Sequence, residues 1–206
     1  MRWKNKGIII SIIVIFAILV SFYFDNILVR EVSLLRNGIL DKFFILITFI
    51  SSEAVIFLVL TALFVWRDKK RRWVFPLWLT LGISATVSFM LKVMIQRLRP
   101  FQLGIISLLP SLQETSHNIW NFSFPSSHAL FAFCAIPILS QQYPKLKKVW
   151  IGIAVLIALS RVYLGLHFFS DVLTGAFLGY IIGIMVVRLE KETKFGQKIY
   201  DKLMRR

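Results

Sequence analysis

The sequence is short of cysteine, short of acidic residues and without linkers. Its one cysteine, Cys134, excludes an internal disulfide and any multi-cysteine metal site. It lies in an apolar run and reads as a packing residue. Asp and Glu number 10 against 25 Lys and Arg, a net charge of +15. So basic a chain could suit nucleic acid. Here, however, the basic residues stand between apolar runs rather than on a soluble face. That argues against nucleic acid as a partner and assigns them to topology and to contacts with anionic membrane lipid. Internal repeats, low-complexity tracts and Pro/Gly-rich linkers are absent, so residues 1–206 read as a single membrane-embedded domain.

What the chain has in abundance is apolar surface. Hydrophobic residues make up 57% of it, with 19 Phe. A soluble domain of 206 residues could not hide so much in one core. The pattern predicts an all-α, six-transmembrane-helix bundle, with spans near 7–24, 43–66, 73–95, 127–143, 149–168 and 171–189. The first follows Arg2, Lys4 and Lys6, like a signal peptide. Its long apolar part and the lack of a small-residue cleavage site predict a retained helix. Pro137 predicts a kink in the fourth.

Basic residues orient these spans. With the N-terminus in the cytoplasm and six crossings, 18 of the 25 Lys and Arg fall on the cytoplasmic side, in the N-terminal segment, 67–72, 145–148 and the tail from Arg188. Short loops follow this rule, so both termini are expected to be cytoplasmic. Residues 25–42 mix apolar and charged side chains and are expected to lie as a helix on the outer surface. Residues 100–124 form the longest loop, also outside.

Three clusters on that outer side carry chemistry. Lys92 and Arg99 are seven apart and share a face if the helix continues to Arg99. Alone, they are two side chains reaching for the headgroups. Phe124-Pro125-Ser126-Ser127-His128 precedes an apolar run. Ser126 can cap the helix, and the N–H groups behind it form an anion site. Alone, this is an ordinary capped helix. In the third cluster Ser160-Arg161 is followed by His167 and Asp171. Four residues apart on a helix, the carboxylate would sit beside the imidazole, fix its tautomer and leave the other nitrogen free to attack. Arg161 adds a planar fork suited to phosphate oxygens. Alone, this is a membrane-edge ion pair. Together, three cations, a helix start, two histidines and one carboxylate at one level of the membrane describe a phosphoryl-transfer site.

On these residues the chain resembles the type 2 phosphatidic acid phosphatase superfamily, which includes lipid phosphate phosphatases, glucose-6-phosphatase and the vanadium haloperoxidases. The family pattern is Lys, six residues, Arg-Pro; then Pro-Ser-Gly-His; then Ser-Arg, five residues, His, three residues, Asp. This sequence has Lys92 with Arg99-Pro100, Pro125-Ser126-Ser127-His128, and Ser160-Arg161 with His167 and Asp171. It departs from the pattern at Ser127, where the family usually has Gly.

The resemblance implies roles. His167 attacks phosphorus, Asp171 orients it, and His128 is the acid and then the base. Lys92, Arg99 and Arg161 hold the oxygens with Ser126 and the N–H groups of Ser127 and His128. It implies no metal and no cofactor. The expected substrate is a lipid phosphate or diphosphate such as undecaprenyl diphosphate, phosphatidylglycerophosphate or phosphatidic acid. A lipid transporter or scaffold is the rival class, and would want polar residues in mid-span. A soluble haloperoxidase is opposed by the six spans. Arg97, His117 and the glycosylation-like triplet Asn121-Phe122-Ser123 are set aside.

Overall fold

The computed structural model describes residues 2–112 and 122–204; His117 and Asn121 lie outside them. The described residues form eight α-helices and no strand. They are α1 Arg2–Ser33, α2 Gly38–Ile50, α3 Glu53–Val65, α4 Val74–Ile95, α5 Ser127–Gln142, α6 Lys147–Tyr163, α7 Phe169–Thr193 and α8 Phe195–Met204. Short 3-10 turns occupy Asp68–Trp73, Pro110–Leu112 and Pro144–Leu146.

The bundle is apolar on its outside. Along α1, Ile9, Ile12, Ile13, Phe16 and Leu19 are exposed, whereas Ser21, Asp25 and Val29 are buried at a four-residue spacing. That puts one stripe of α1 against protein and the rest in an apolar surrounding, as for a helix in lipid.

Three helical stretches are long and apolar enough to cross a bilayer: Ile9–Ser33, Asp68–Ile95 and Phe169–Thr193. The α2–α3 pair makes at most a fourth. Helices α5 and α6 have 16 and 17 residues, about 24–26 Å of helix, against a hydrocarbon core of about 30 Å. Length and composition therefore support three or four crossings, fewer than the six expected.

Two sequence expectations change. The stretch 43–66 is not one uninterrupted helix. It breaks at Ser51-Ser52, and α2 and α3 are bent by 61°. The cause is local: the Ser52 hydroxyl accepts the Val55 N–H at 3.4 Å and starts a new helix. Nor is 25–42 a separate surface helix. Residues 25–33 continue α1, and Asn37 begins α2 by accepting the N–H groups of Ile39 (3.2 Å) and Leu40 (3.0 Å). Pro137 sits inside α5 without ending it.

Helix α5 is the centre, packed by α7, α6, α4 and α3, while α1 lies on α7 and α6. Gly175, Gly179 and Gly183 of α7 set how closely α7 lies on α5. A Cβ at these positions would strike the backbone oxygens of Ser126, Leu130 and Cys134 in turn. Small residues every fourth position let two backbones approach this closely. The contact fixes the head of α5 beside the head of α7.

Candidate active site

The three motif clusters meet where α5 and α7 begin. Helix α5 starts at Ser127, and its first intrahelical bond runs from Leu130 N–H to Ser126 C=O at 3.0 Å. The N–H groups of Ser127, His128 and Ala129 therefore precede the helical ladder. Ser126 occupies the N-cap position, but its hydroxyl makes no cap bond: it is fully buried, and Oγ has no hydrogen-bond partner among the described residues. The Ser127 hydroxyl accepts from Ser88 of α4 at 3.2 Å. His128 stands in the field of Arg161, His167, Arg99 and Lys92.

Lys92 and Arg99 do not share a helical face. Helix α4 ends at Ile95, and Gln96 turns left-handed (φ 49°), so the chain folds back rather than running on to Arg99. The two cations remain neighbours, each felt by the same imidazole. The Lys92 ammonium donates to the Phe122 carbonyl at 2.7 Å. Arg99 donates through Nη1 to the Leu166 carbonyl at 3.2 Å. Burial draws the Arg99 guanidinium down to about 10, so it is still charged at neutral pH.

Arg161, near the end of α6, is 5% exposed. Its Nη1 donates to Thr48 Oγ1 of α2 at 3.1 Å, and its Nε hydrogen has no acceptor among the described residues. The turn beyond it is tight. Leu166 and His167 both donate their N–H to the Arg161 carbonyl (3.0 and 3.2 Å), and Gly165 adopts φ 68°. A side chain at Gly165 would be strained and would collide with Ile106.

His167 therefore lies ahead of α7, not on it, and the expected contact with Asp171 is replaced. Its Nδ1 is 3.8 Å from Asp171 Oδ2 but 2.6 Å from the Ser123 carbonyl. A carbonyl can only accept, so Nδ1 carries the hydrogen and Nε2 presents a lone pair. Burial, joined by the positive fields of Arg99, Lys92 and Arg161, holds this imidazole well below the ordinary histidine value, in the neutral form.

Asp171 is wholly buried. Its carboxylate accepts from Arg97 Nη1 (2.6 Å), Ser123 Oγ (2.5 Å) and the Phe168 N–H (2.9 Å). The last bond caps α7, where a negative charge is favoured. Arg97, set aside from the sequence, is thus the direct ion-pair partner of Asp171. Asp25 and Ser170, which join the same network, were also missed. The signal that could have found Asp25 was an acid inside an apolar span.

A cluster of cations and histidines at the meeting of two helix heads in an apolar bundle defines an anion-handling membrane protein. The chain belongs to the PAP2 superfamily, whose family model matches residues 73–194. A phosphatidylglycerophosphatase B of Bacillus subtilis is 34% identical over 132 residues, 58% of this chain and 60% of that one. An undecaprenyl-diphosphatase of Sulfolobus acidocaldarius is 34% identical over 121 residues, 53% of this chain and 55% of that one. The chain thus spans little more than half the length of these curated relatives. The crystal structure of a transmembrane PAP2-type phosphatidylglycerolphosphate phosphatase from Bacillus subtilis superposes with a TM-score of 0.70 at 25% identity, covering 89% of this chain and 97% of that one.

Proposed function

We propose that this protein is a membrane phosphatase that removes a phosphate from a lipid phosphate or lipid diphosphate through a phosphohistidine. One observation carries this reading: among the described residues the buried Arg161 guanidinium has an N–H with no acceptor, and it lies among Lys92, Arg99 and two histidines. Buried donors in native proteins find acceptors, and an anion of the size of a phosphoryl group would supply one. Ser126, with its own unspent hydroxyl, would supply another contact.

The steps follow from the geometry. His167 Nε2 forms a bond to phosphorus as the bond from phosphorus to the lipid oxygen breaks. His128 donates a proton to that departing oxygen. The leaving group is the lipid alcohol, or the lipid monophosphate when the substrate is a diphosphate. His128 then takes a proton from water, the oxygen of that water attacks phosphorus, and the N–P bond breaks to release inorganic phosphate. Lys92, Arg99, Arg161 and the first N–H groups of α5 neutralise the equatorial oxygens. They supply the charge a divalent metal supplies elsewhere, so the reaction proceeds in excess chelator. The Ser127 side chain, engaged by Ser88, leaves its backbone N–H available to phosphate as a glycine would. Because His167 stays neutral below the ordinary histidine value, the acid limb of kcat/KM lies below about 6.5.

The same reading takes the α2–α3 pair as one broken crossing and α5 and α6 as crossings seated in the bundle. That makes six, with both termini cytoplasmic and the active site outside. It rests on the 18 of 25 basic residues that fall on one side. The test is phosphate release from a panel of phosphatidylglycerophosphate, undecaprenyl diphosphate and phosphatidic acid by the purified protein in detergent, with and without chelator. Release from none of them, or release only with added magnesium, overturns the proposal. In intact cells without Cys134, a cysteine placed in 67–72 should be protected from an impermeant thiol reagent.

A further inference from the structure

Asp25 is an acid in the apolar helix α1, 2% exposed and outside the stretch 73–194 that the family model matches. A carboxylate in such a place is expensive unless partners hold it. Here three donors do. Arg97 Nη2 donates to Oδ2 at 2.7 Å, the Ser170 N–H donates to Oδ1 at 3.0 Å, and the Ser170 hydroxyl also donates to Oδ2. The other arm of the guanidinium, Arg97 Nη1, donates to Asp171 Oδ1 at 2.6 Å and to Ser170 Oγ at 2.7 Å. One planar fork therefore bridges two carboxylates. The ring centres of Phe168 and Phe22 lie 4.1 and 5.0 Å from the guanidinium carbon, within cation–π range.

The chain of contacts ends at the imidazole. The Arg97 carbonyl accepts the Ser123 N–H at 2.7 Å, and the Ser123 hydroxyl donates to Asp171. Ser123 then receives His167 Nδ1 on its carbonyl. We propose that Asp25 and Arg97 are positioning residues: together they fix Asp171 and Ser123, and through them the direction in which His167 Nε2 points. Among the described residues, neither side chain is bonded to Lys92 or Arg161, two of the proposed phosphate contacts. Their influence is therefore on the attack rather than on phosphate binding.

This inference rests on the reading of His167 as nucleophile, and the experiment separates the two. Wild type, Asp25→Asn, Asp171→Asn and the double variant are purified in detergent and assayed on dioctanoyl phosphatidic acid. Asn keeps the shape of Asp25 but turns an NH2 group toward Arg97 or Ser170, which breaks the bridge. The expected result is a fall in kcat of about 10–10²-fold, the scale of an ångström of misplacement, with KM changed by less than about twofold. In the Asp171→Asn background, Asp25→Asn should cost nothing further, because it acts through that residue. Losses that multiply, a kcat like wild type, or a rise in KM at unchanged kcat would each overturn the proposal. Should Asp25→Asn fail to fold, Arg97→Lys replaces it. An ammonium cannot bridge both carboxylates, so the same fall in kcat is expected, and its absence overturns the proposal. A wild type inactive on every lipid phosphate sinks the phosphatase reading, and this inference with it.

Discussion

In α5 and α7 two helices meet backbone to backbone, whereas α2 and α3 meet the rest of the bundle through a few side chains. Both pairs are strongly apolar. Helix α7 carries Gly175, Gly179 and Gly183 on one face, each against an α5 carbonyl. Helix α5 buries nine residues, while α2 buries none and α3 only Ile56, Leu60 and Phe64. The groups on which the proposed chemistry depends sit at the heads of the closely packed pair: Ser126, Ser127, His128 and Asp171. The loosely held pair reaches the site mainly through Thr48, whose hydroxyl meets Arg161 Nη1 at 3.1 Å and Ser160 Oγ at 3.3 Å. Apolar content puts a helix in the membrane. Only close approach holds a catalytic head group in place.

The largest expected effect sits at the closely packed end. His167→Ala removes the proposed attacking atom, so no phosphate should be trapped on the protein after a rapid acid-free quench and turnover should vanish. His128→Ala removes only the proton donor, worth about 10²–10⁴-fold. An activated ester such as p-nitrophenyl phosphate, if accepted, should recover most of that loss. Rescue of His167→Ala instead would reverse the two roles.

Next comes the glycine contact itself. Gly179→Ala gains up to about 1 kcal/mol of helix propensity. It also drives a methyl group into the Leu130 carbonyl and the Cys134 backbone, which cannot swing aside. Overpacking of about 1–3 kcal/mol or more should win, lowering the melting temperature in detergent and the activity together. Gly82→Ala on α4, where nothing lies within 4 Å, is the control and should be neutral or slightly stabilising. Equal effects at the two positions would break the comparison between packed and open faces.

The smallest effect belongs to the loose pair. Thr48→Val keeps the shape but takes the acceptor from Arg161 Nη1. A hydrogen bond to a charged group is worth about 1.5–3 kcal/mol at most, and Ser160 Oγ, 3.3 Å from Thr48 Oγ1, can take over part of it. A rise in KM of roughly 3–10-fold with kcat near wild type is expected from that magnitude. A collapse in kcat would mean that the α2–α3 pair belongs to the catalytic geometry after all.

Much of the site was legible because its residues recur at fixed spacing. Lys92, Arg99, Ser126, His128, Arg161, His167 and Asp171 could all be named from the chain, and the fold brings them to one place. The contacts among them were less legible. A four-residue spacing suggested a His167–Asp171 pair, and the two do lie 3.8 Å apart, but His167 precedes α7 and its hydrogen goes to the Ser123 carbonyl. Arg97 was set aside as a residue outside the motifs, since nothing in its spacing points to a carboxylate 72 residues back in the chain. The broken span at Ser51-Ser52 was missed for a similar reason. Hydropathy averages over a window, while one serine hydroxyl decides where a helix restarts.

By itself the sequence determined that the chain lives in an apolar medium, that it is helical and which residues are candidates for handling phosphate. Those follow from composition, from periodicity and from motif spacing, all local quantities. Only the tertiary structure decided which carboxylate holds which cation, that a backbone carbonyl rather than Asp171 takes the His167 hydrogen, and that α1 shares in the site through Asp25. Those depend on which helices approach closely. Approach distance is set by the small faces of α5 and α7 meeting across the fold, a property no single segment carries alone.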